Sequence, residues 1–228
     1  MEPDAVPAID RLLVIWRDPT QDARHLIGIL TRAHGEIRFW YEQDLSAARS
    51  KGFRLLPEFT EHRVEASPYV ERYLFALFAE RIPSRSRPDA RTMLAGWGVE
   101  RVDDQFEVLA RSGGIRATDR IELAEYRSDD DELATPLEFR VANRRHLEDA
   151  APLSIGDEVT LIREPSNDYD SRTTVIDRAG HRAGYVPQPY VPMFAHLLDA
   201  RVDVDAKVVR QLLVPDDVGK WVVRVARR

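Results

Sequence analysis

Between Ile155 and Pro187 the chain reads strand, turn, strand, turn, strand, and this stretch restricts the possible folds more than any other. Val159 and Leu161 alternate with Glu158, Thr160 and Arg163 at the two-residue period of a half-buried strand, and the run breaks at Pro165. Ser166, Asn167 and Asp168 follow, residues whose side chains bond their own backbone and tolerate turn geometry. Val175 and Ile176 resume the extended chain. Gly180 supplies the positive φ that a tight hairpin from Asp177 to Arg182 requires. The turns of this meander hold most of its chemically capable side chains.

The flanking segments extend the same pattern. Leu137 to Val141 reads as a preceding strand. Pro189 and Pro192 crowd the first turn of a helix, where proline is tolerated, and Tyr190, Phe194, Leu197 and Leu198 form its apolar face. Val202, Val204, Ala206 and Val208 alternate with Asp203, Asp205 and Lys207, and Trp221, Val223 and Val225 supply a closing strand. About six strands and one helix predict a small barrel-like fold.

The first half is of a different kind. Leu12 to Trp16, His25 to Thr31 and the alternating Ile37, Phe39 and Tyr41 predict an antiparallel meander, with Ala33 to Glu36 as a tight connection. Gln43 to Arg49 has helical composition and stops at Lys51-Gly52. Ser67 and Pro68 read as the start of a helix with Val70, Leu74, Leu77 and Phe78 on one stripe. Arg81 to Arg91 is a basic, proline-punctuated connector able to hold phosphate. Pro88 opens a short helix that ends at Gly96-Trp97-Gly98. Asp103 and Asp104 open another, with Phe106, Leu109 and Ala110 inward and Gly113-Gly114 as its stop. The acidic run Ser128 to Glu132 marks the expected boundary between domains at 1–132 and 133–228, in an α+β protein.

Charge and composition exclude several functions. The net charge of −6 argues against a general duplex-coating protein, whose affinity comes from neutralising phosphates. From Pro136 onward there are 14 basic and 14 acidic residues, so the whole excess lies in the first 135 and a nucleic-acid site belongs in the second half. No cysteine is present, which removes disulfides, thiolate metal sites and cysteine nucleophiles. No apolar run approaches a membrane span and the acidic start lacks a signal-peptide pattern, so a cytoplasmic protein with no membrane role is expected. The six histidines show no ligand spacing, and Ser112-Gly113-Gly114 lacks the frame of a serine hydrolase. Glu164, Asp168 and Asp170 are the one carboxylate group that could hold a metal, but no nearby lysine accompanies them. A non-enzymatic protein with no cofactor is expected.

Four motifs in one order carry a resemblance: Gly156-Asp157, Arg163-Glu164-Pro165, Asn167 to Asp170 (NDYD), and Gly184 to Pro187 (GYVP), followed by the helix at Phe194 to Ala200. Together they resemble the HIRAN domain, which implies a small mainly-β barrel with a helix and a function in gripping the 3′-hydroxyl end of single-stranded DNA. By position, the resemblance makes Asp170 the acceptor of the terminal hydroxyl and Tyr169 a stacking face or phenol donor. Asn167 would bond the backbone, Tyr185 would contact a nucleotide, and Arg144 would hold phosphate. The family's proline before the tyrosine is here Asp168, its next residues are replaced by Arg172, Thr173 and Thr174, and its aromatic after Arg144 is Arg145. Arg145 and Arg172 offset Asp168, and arginine also stacks on bases. The implied role is in DNA repair or processing, in a bacterial protein.

Ile27 to Glu42, Tyr73 to Ala90 and Leu109 to Leu123 resemble the small N-terminal portion of HipA-type toxin kinases. This implies an adaptor that faces a protein partner, such as a HipA-type kinase or a DNA-processing enzyme. Without a glycine-rich phosphate loop or the HRD and DFG elements, the chain lacks phosphoryl-transfer machinery. The alternative function is therefore that of an antitoxin-like or regulatory partner of such a kinase.

Overall fold

The computed structural model describes residues 8–19, 23–128, 133–144, 147–212 and 221–228. The chain clusters into two units, one from Ala8 to Tyr126 and one holding Arg127 to Arg228. Residues 129–132 of the acidic run lie outside the described residues.

In the first unit, β1 (Arg11–Arg17), β2 (Arg24–Ala33) and β3 (Glu36–Tyr41) form the expected meander. A short β4 (Tyr69–Glu71) and β5 (Ile121–Glu125) complete an antiparallel sheet of order β4-β3-β2-β1-β5. Leu12, Val14, Leu30, Phe39, Tyr41 and Leu123 point to one face and meet Phe59, Phe78, Phe106 and Leu109 in the main core. Of the short helices α1 (Ser46–Ser50), α2 (Ala76–Ala79), α3 (Ala90–Trp97) and α4 (Gln105–Ser112), the last begins as expected. The Asp104 carboxylate accepts from the backbone N–H groups of Phe106 and Glu107, the N-cap bond that satisfies donors left over at a helix start.

The helix expected from Ser67 is not there. Tyr69 to Glu71 instead pairs with β3, placing Tyr69 opposite Phe39, and only Ala76 to Ala79 turns helical. The Tyr69 ring packs edge-on against Phe59 at 5.0 Å, and its hydroxyl donates to the Glu61 carbonyl. Strand pairing and aromatic packing outweigh the local Ser-Pro start signal. The Arg81 to Arg91 segment is also not a bare cation cluster. Arg81 is buried on Asp119, while Arg85 and Arg87 pair with Asp103 and Asp89.

The second unit is one curled antiparallel sheet of order β6-β11-β10-β7-β8-β9. Its strands are β6 (Leu137–Arg140), β7 (Glu158–Arg163), β8 (Thr174–Arg178), β9 (His181–Tyr185), β10 (Val204–Gln211) and β11 (Trp221–Arg227). β7 turns the corner: Glu158 and Val159 pair with β10, while Thr160 to Arg163 pair with β8. Just past β6, Ala142 bridges Tyr185 at the end of β9, so the two sheet edges meet. Helix α5 (Val191–Asp199), entered by a 3-10 turn at Gln188–Tyr190, packs Tyr190 and Phe194 against Phe139 of β6 at 5.9 and 5.5 Å. The expected alternation holds in β7, where Val159 and Leu161 are buried and Glu158, Thr160 and Ile162 exposed.

Candidate nucleic-acid interface

The loop from Glu164 to Thr173 is held in shape by its own polar side chains. Asn167 Oδ1 accepts from the backbone N–H groups of Tyr169 and Asp170, at 3.0 and 3.3 Å, a side-chain mimic of a backbone turn. Arg163 ties the loop from behind. Its Nη1 donates to the carbonyls of Ser171 and Thr173, both at 3.1 Å, and its Nε donates to Asp199 at the end of α5. The glycine-aspartate motif is equally structural, since Asp157 caps the Ser154 N–H and pairs with Arg178 of β8.

At the loop tip Tyr169 is 99% exposed. A phenol ring left wholly in water gains nothing from folding, so its place here is not explained by packing. Asp170, next in the chain, accepts at Oδ1 from the Arg172 backbone N–H at 2.8 Å and from Arg172 Nε at 3.2 Å, and at Oδ2 from Arg172 Nη2 at 3.2 Å. Partial burial opposes ionisation of this carboxyl, but the Arg172 bonds and the charge of Arg163 outweigh it and hold its pKa below the usual carboxylate value. A carboxylate has about four acceptor positions, and these three bonds leave Oδ2 able to take another donor.

Tyr185 reaches the same network through β9. In the β8–β9 register Asp177 faces Arg182 and Ile176 faces Gly184, so Ala183 is an extra residue, a β-bulge. Arg182 lies over the Tyr185 ring at 5.5 Å, donates to its hydroxyl at 2.9 Å, and pairs with Glu164. Glu164 in turn accepts from Asn167 Nδ2 at 2.6 Å. Arg144 joins from the opposite edge, where its Nη1 donates at 2.8 Å to the carbonyl of the bulged Ala183.

Asn167, Tyr169, Asp170 and Arg172 thus share the β7–β8 loop, and Arg144 and Tyr185 share the seam where the sheet edges meet. The remaining expected residue, Arg145, lies outside the described residues. The carboxylates once grouped as metal candidates do not converge: Glu164 faces Arg182 and Asn167, and Asp170 faces Arg172. Among the described residues no cluster of acidic or histidine side chains could hold a metal ion. None of their helices is long and apolar enough to cross a membrane. Sequence reasoning missed Arg182. In a regular strand it would face away from Tyr185, and the one signal of the bulge that turns the two to one side is Gly184 within β9.

The family model of the HIRAN domain matches residues 136–213. Among solved structures, the chain is similar to the crystal structure of the HIRAN domain of human HLTF, at 16% identity and a TM-score of 0.34, covering 40% of this chain and 72% of that one. It is also similar to the crystal structure of a Lactobacillus plantarum protein, at 21% identity and a TM-score of 0.32, covering 40% of this chain and 92% of that one. No curated protein matches the chain significantly. Nothing in these comparisons supports a HipA-type first half.

Proposed function

We propose that the second unit binds single-stranded DNA at its 3′-hydroxyl end, in DNA repair or processing, and does so without catalysis. The observation that carries this reading is the pairing of a wholly exposed aromatic, Tyr169, with an adjacent ionised carboxylate, Asp170, at the tip of a rigidly braced loop. The ring offers a base a stacking face worth about 1 to 3 kcal/mol whatever its identity. The carboxylate accepts a sugar hydroxyl. An ionised 3′-phosphate has no proton to donate and meets an acceptor with acceptors.

Local charge sets the strength. Glu164 and Asp170 are each matched by an arginine and Asp168 stays exposed on the same loop, so the strand meets a surface with no excess of positive charge at the loop and not a phosphate-coating one. Stacking and a hydroxyl bond then dominate, and the affinity is on the order of micromolar. Binding falls only weakly with salt, since a single phosphate contact gives a slope of about −0.7.

A fluorescence-anisotropy titration tests the reading. An oligonucleotide with a free single-stranded 3′ end binds, and one whose only single-stranded end is 5′ binds at least several-fold more weakly; equal binding overturns end recognition. Tyr169→Ala weakens binding, whereas Arg87→Ala, in the first unit, leaves it unchanged.

A second reading assigns the first unit to a protein partner such as a HipA-type kinase or a DNA-processing enzyme. It is favoured by the net negative charge of the first 135 residues and by the exposure of Val70, in the short edge strand β4, and of Tyr73 just after it. Co-purification with such an enzyme from the native host supports it, and failure to associate counts against it.

A further inference from the structure

The Glu164–Arg182 pair joins two elements that the sheet leaves independent. One Glu164 oxygen takes the Asn167 side chain of the β7–β8 loop, and the other takes Arg182 of β9. Arg182 in turn holds Tyr185 at two points, over the ring face and at the hydroxyl. The Ala183 bulge is what makes this possible, because it brings residues three apart to one side of the strand. The side chains of the pair are 20% and 44% exposed, and ion pairs this open add little to folding stability. What the pair adds is geometry.

We propose that Glu164 and Arg182 are the positioning residues of the DNA-binding surface. They set the Tyr185 ring and the Asn167 loop in one register before DNA arrives, and Arg182 acts through Tyr185 and not on phosphate. The inference rests on the nucleic-acid reading above. A planar guanidinium is required: it must meet a carboxylate, a phenol oxygen and a ring face at once, which a lysine ammonium cannot do. Glu164 is required as an anion, because it presents acceptors to two donors. Glutamine at that position turns one acceptor into a donor facing a donor.

The test uses the full chain and a 3′-hydroxyl oligonucleotide carrying 2-aminopurine next to its terminal nucleotide, whose fluorescence is quenched on stacking. Glu164→Gln, Arg182→Lys and Arg182→Gln each weaken binding about fivefold, a part of one stacking contact. Each also reduces the quenching, while the melting temperature stays that of the wild type. The slope of log affinity against log salt is the same in all three variants as in the wild type. Full affinity in Arg182→Lys overturns the proposal, because charge alone then suffices. So does a slope reduced by about 0.7 in Arg182→Gln, which marks a lost phosphate contact. Wild-type protein that binds while all three variants bind equally well removes this inference alone. Wild-type protein that binds no oligonucleotide removes the DNA reading and this inference together.

Discussion

The main chains of Ala142 and Tyr185 exchange hydrogen bonds of 2.9 and 3.0 Å, and this bridge joins the two edges of the second unit's sheet. An exposed sheet edge is a template for unwanted pairing, and curling the sheet until its edges touch at this bridge shortens what is left open. The bridge also brings the segment after β6, with Arg144, beside the end of β9, with Tyr185.

The seam depends on the absence of a side chain at Gly184. A Cβ there would lie 2.2 Å from Val141 Cγ1 and 3.2 Å from the Ala142 carbonyl, at φ +153°. Gly184→Ala therefore overpacks the seam and destabilises the second unit by about 1 to 3 kcal/mol. Val141→Ala added to it recovers part of the loss. Urea unfolding of wild type, the two single variants and the double variant, each with Trp16, Trp40 and Trp97 replaced by phenylalanine so that Trp221 alone reports, measures the coupling; additive effects contradict the close approach.

Arg81 in the first unit is a structural cation. Its side chain is fully buried, donates to the carbonyls of Leu77 and Gly114, and pairs with Asp119 at 2.7 Å. Asp119 is partly exposed and keeps the Ile121 N–H, but Arg81→Met takes this donor from the Leu77 and Gly114 carbonyls, and unfolding stability falls by about 3 kcal/mol. Arg87, exposed on Asp89 in the same segment, is replaced by alanine without measurable change. Three of the four tryptophans, Trp16, Trp40 and Trp97, lie in this unit, so fluorescence-detected denaturation separates the two variants.

Asp104 makes the stability of the first unit depend on acid. Burial opposes its ionisation, but two bonds from Arg32, at 2.7 and 2.8 Å, the capping Glu107 N–H and the charge of Arg101 outweigh that and lower its pKa. A carboxyl with a depressed folded pKa contributes stability above its unfolded pKa of about 3.9 and loses that contribution as pH falls through the folded value. Asp104→Ala costs about 2 kcal/mol at pH 7, from the cap and the arginine bonds together. The gap between variant and wild type narrows below about pH 3.9. Urea midpoints at pH 7 and pH 3 check the sign, and a gap that widens in acid contradicts it.

Much of this architecture was legible because periodicity and punctuation agreed. β7 alternated cleanly, Gly180 marked the β8–β9 hairpin with φ +85°, and Asp104 announced α4. The errors lie where distant parts of the chain decide. Ser67-Pro68 looks like a helix start, yet Tyr69 has better partners in Phe39 and Phe59 than a helix would give it. The candidate site was half legible. The loop residues from Asn167 to Arg172 are contiguous and their turn chemistry is local. The link from Asn167 through Glu164 and Arg182 to Tyr185 depends on one extra residue in β9, and its one sequence mark, Gly184 inside the strand, shows that a bulge is favoured there without showing which side chains it brings together.

The proposed role of Asp170, accepting a hydroxyl at the DNA terminus, is tested most directly by one competition measurement. Two otherwise identical single-stranded oligonucleotides, one ending in a 3′-hydroxyl and one in a 3′-phosphate, are compared by anisotropy on wild-type protein and on Asp170→Ala. Wild type prefers the hydroxyl end by about tenfold, equivalent to about 1.4 kcal/mol, and Asp170→Ala binds more weakly and loses the preference. Equal affinity of wild type for the two ends, or a preference that survives in Asp170→Ala, contradicts it.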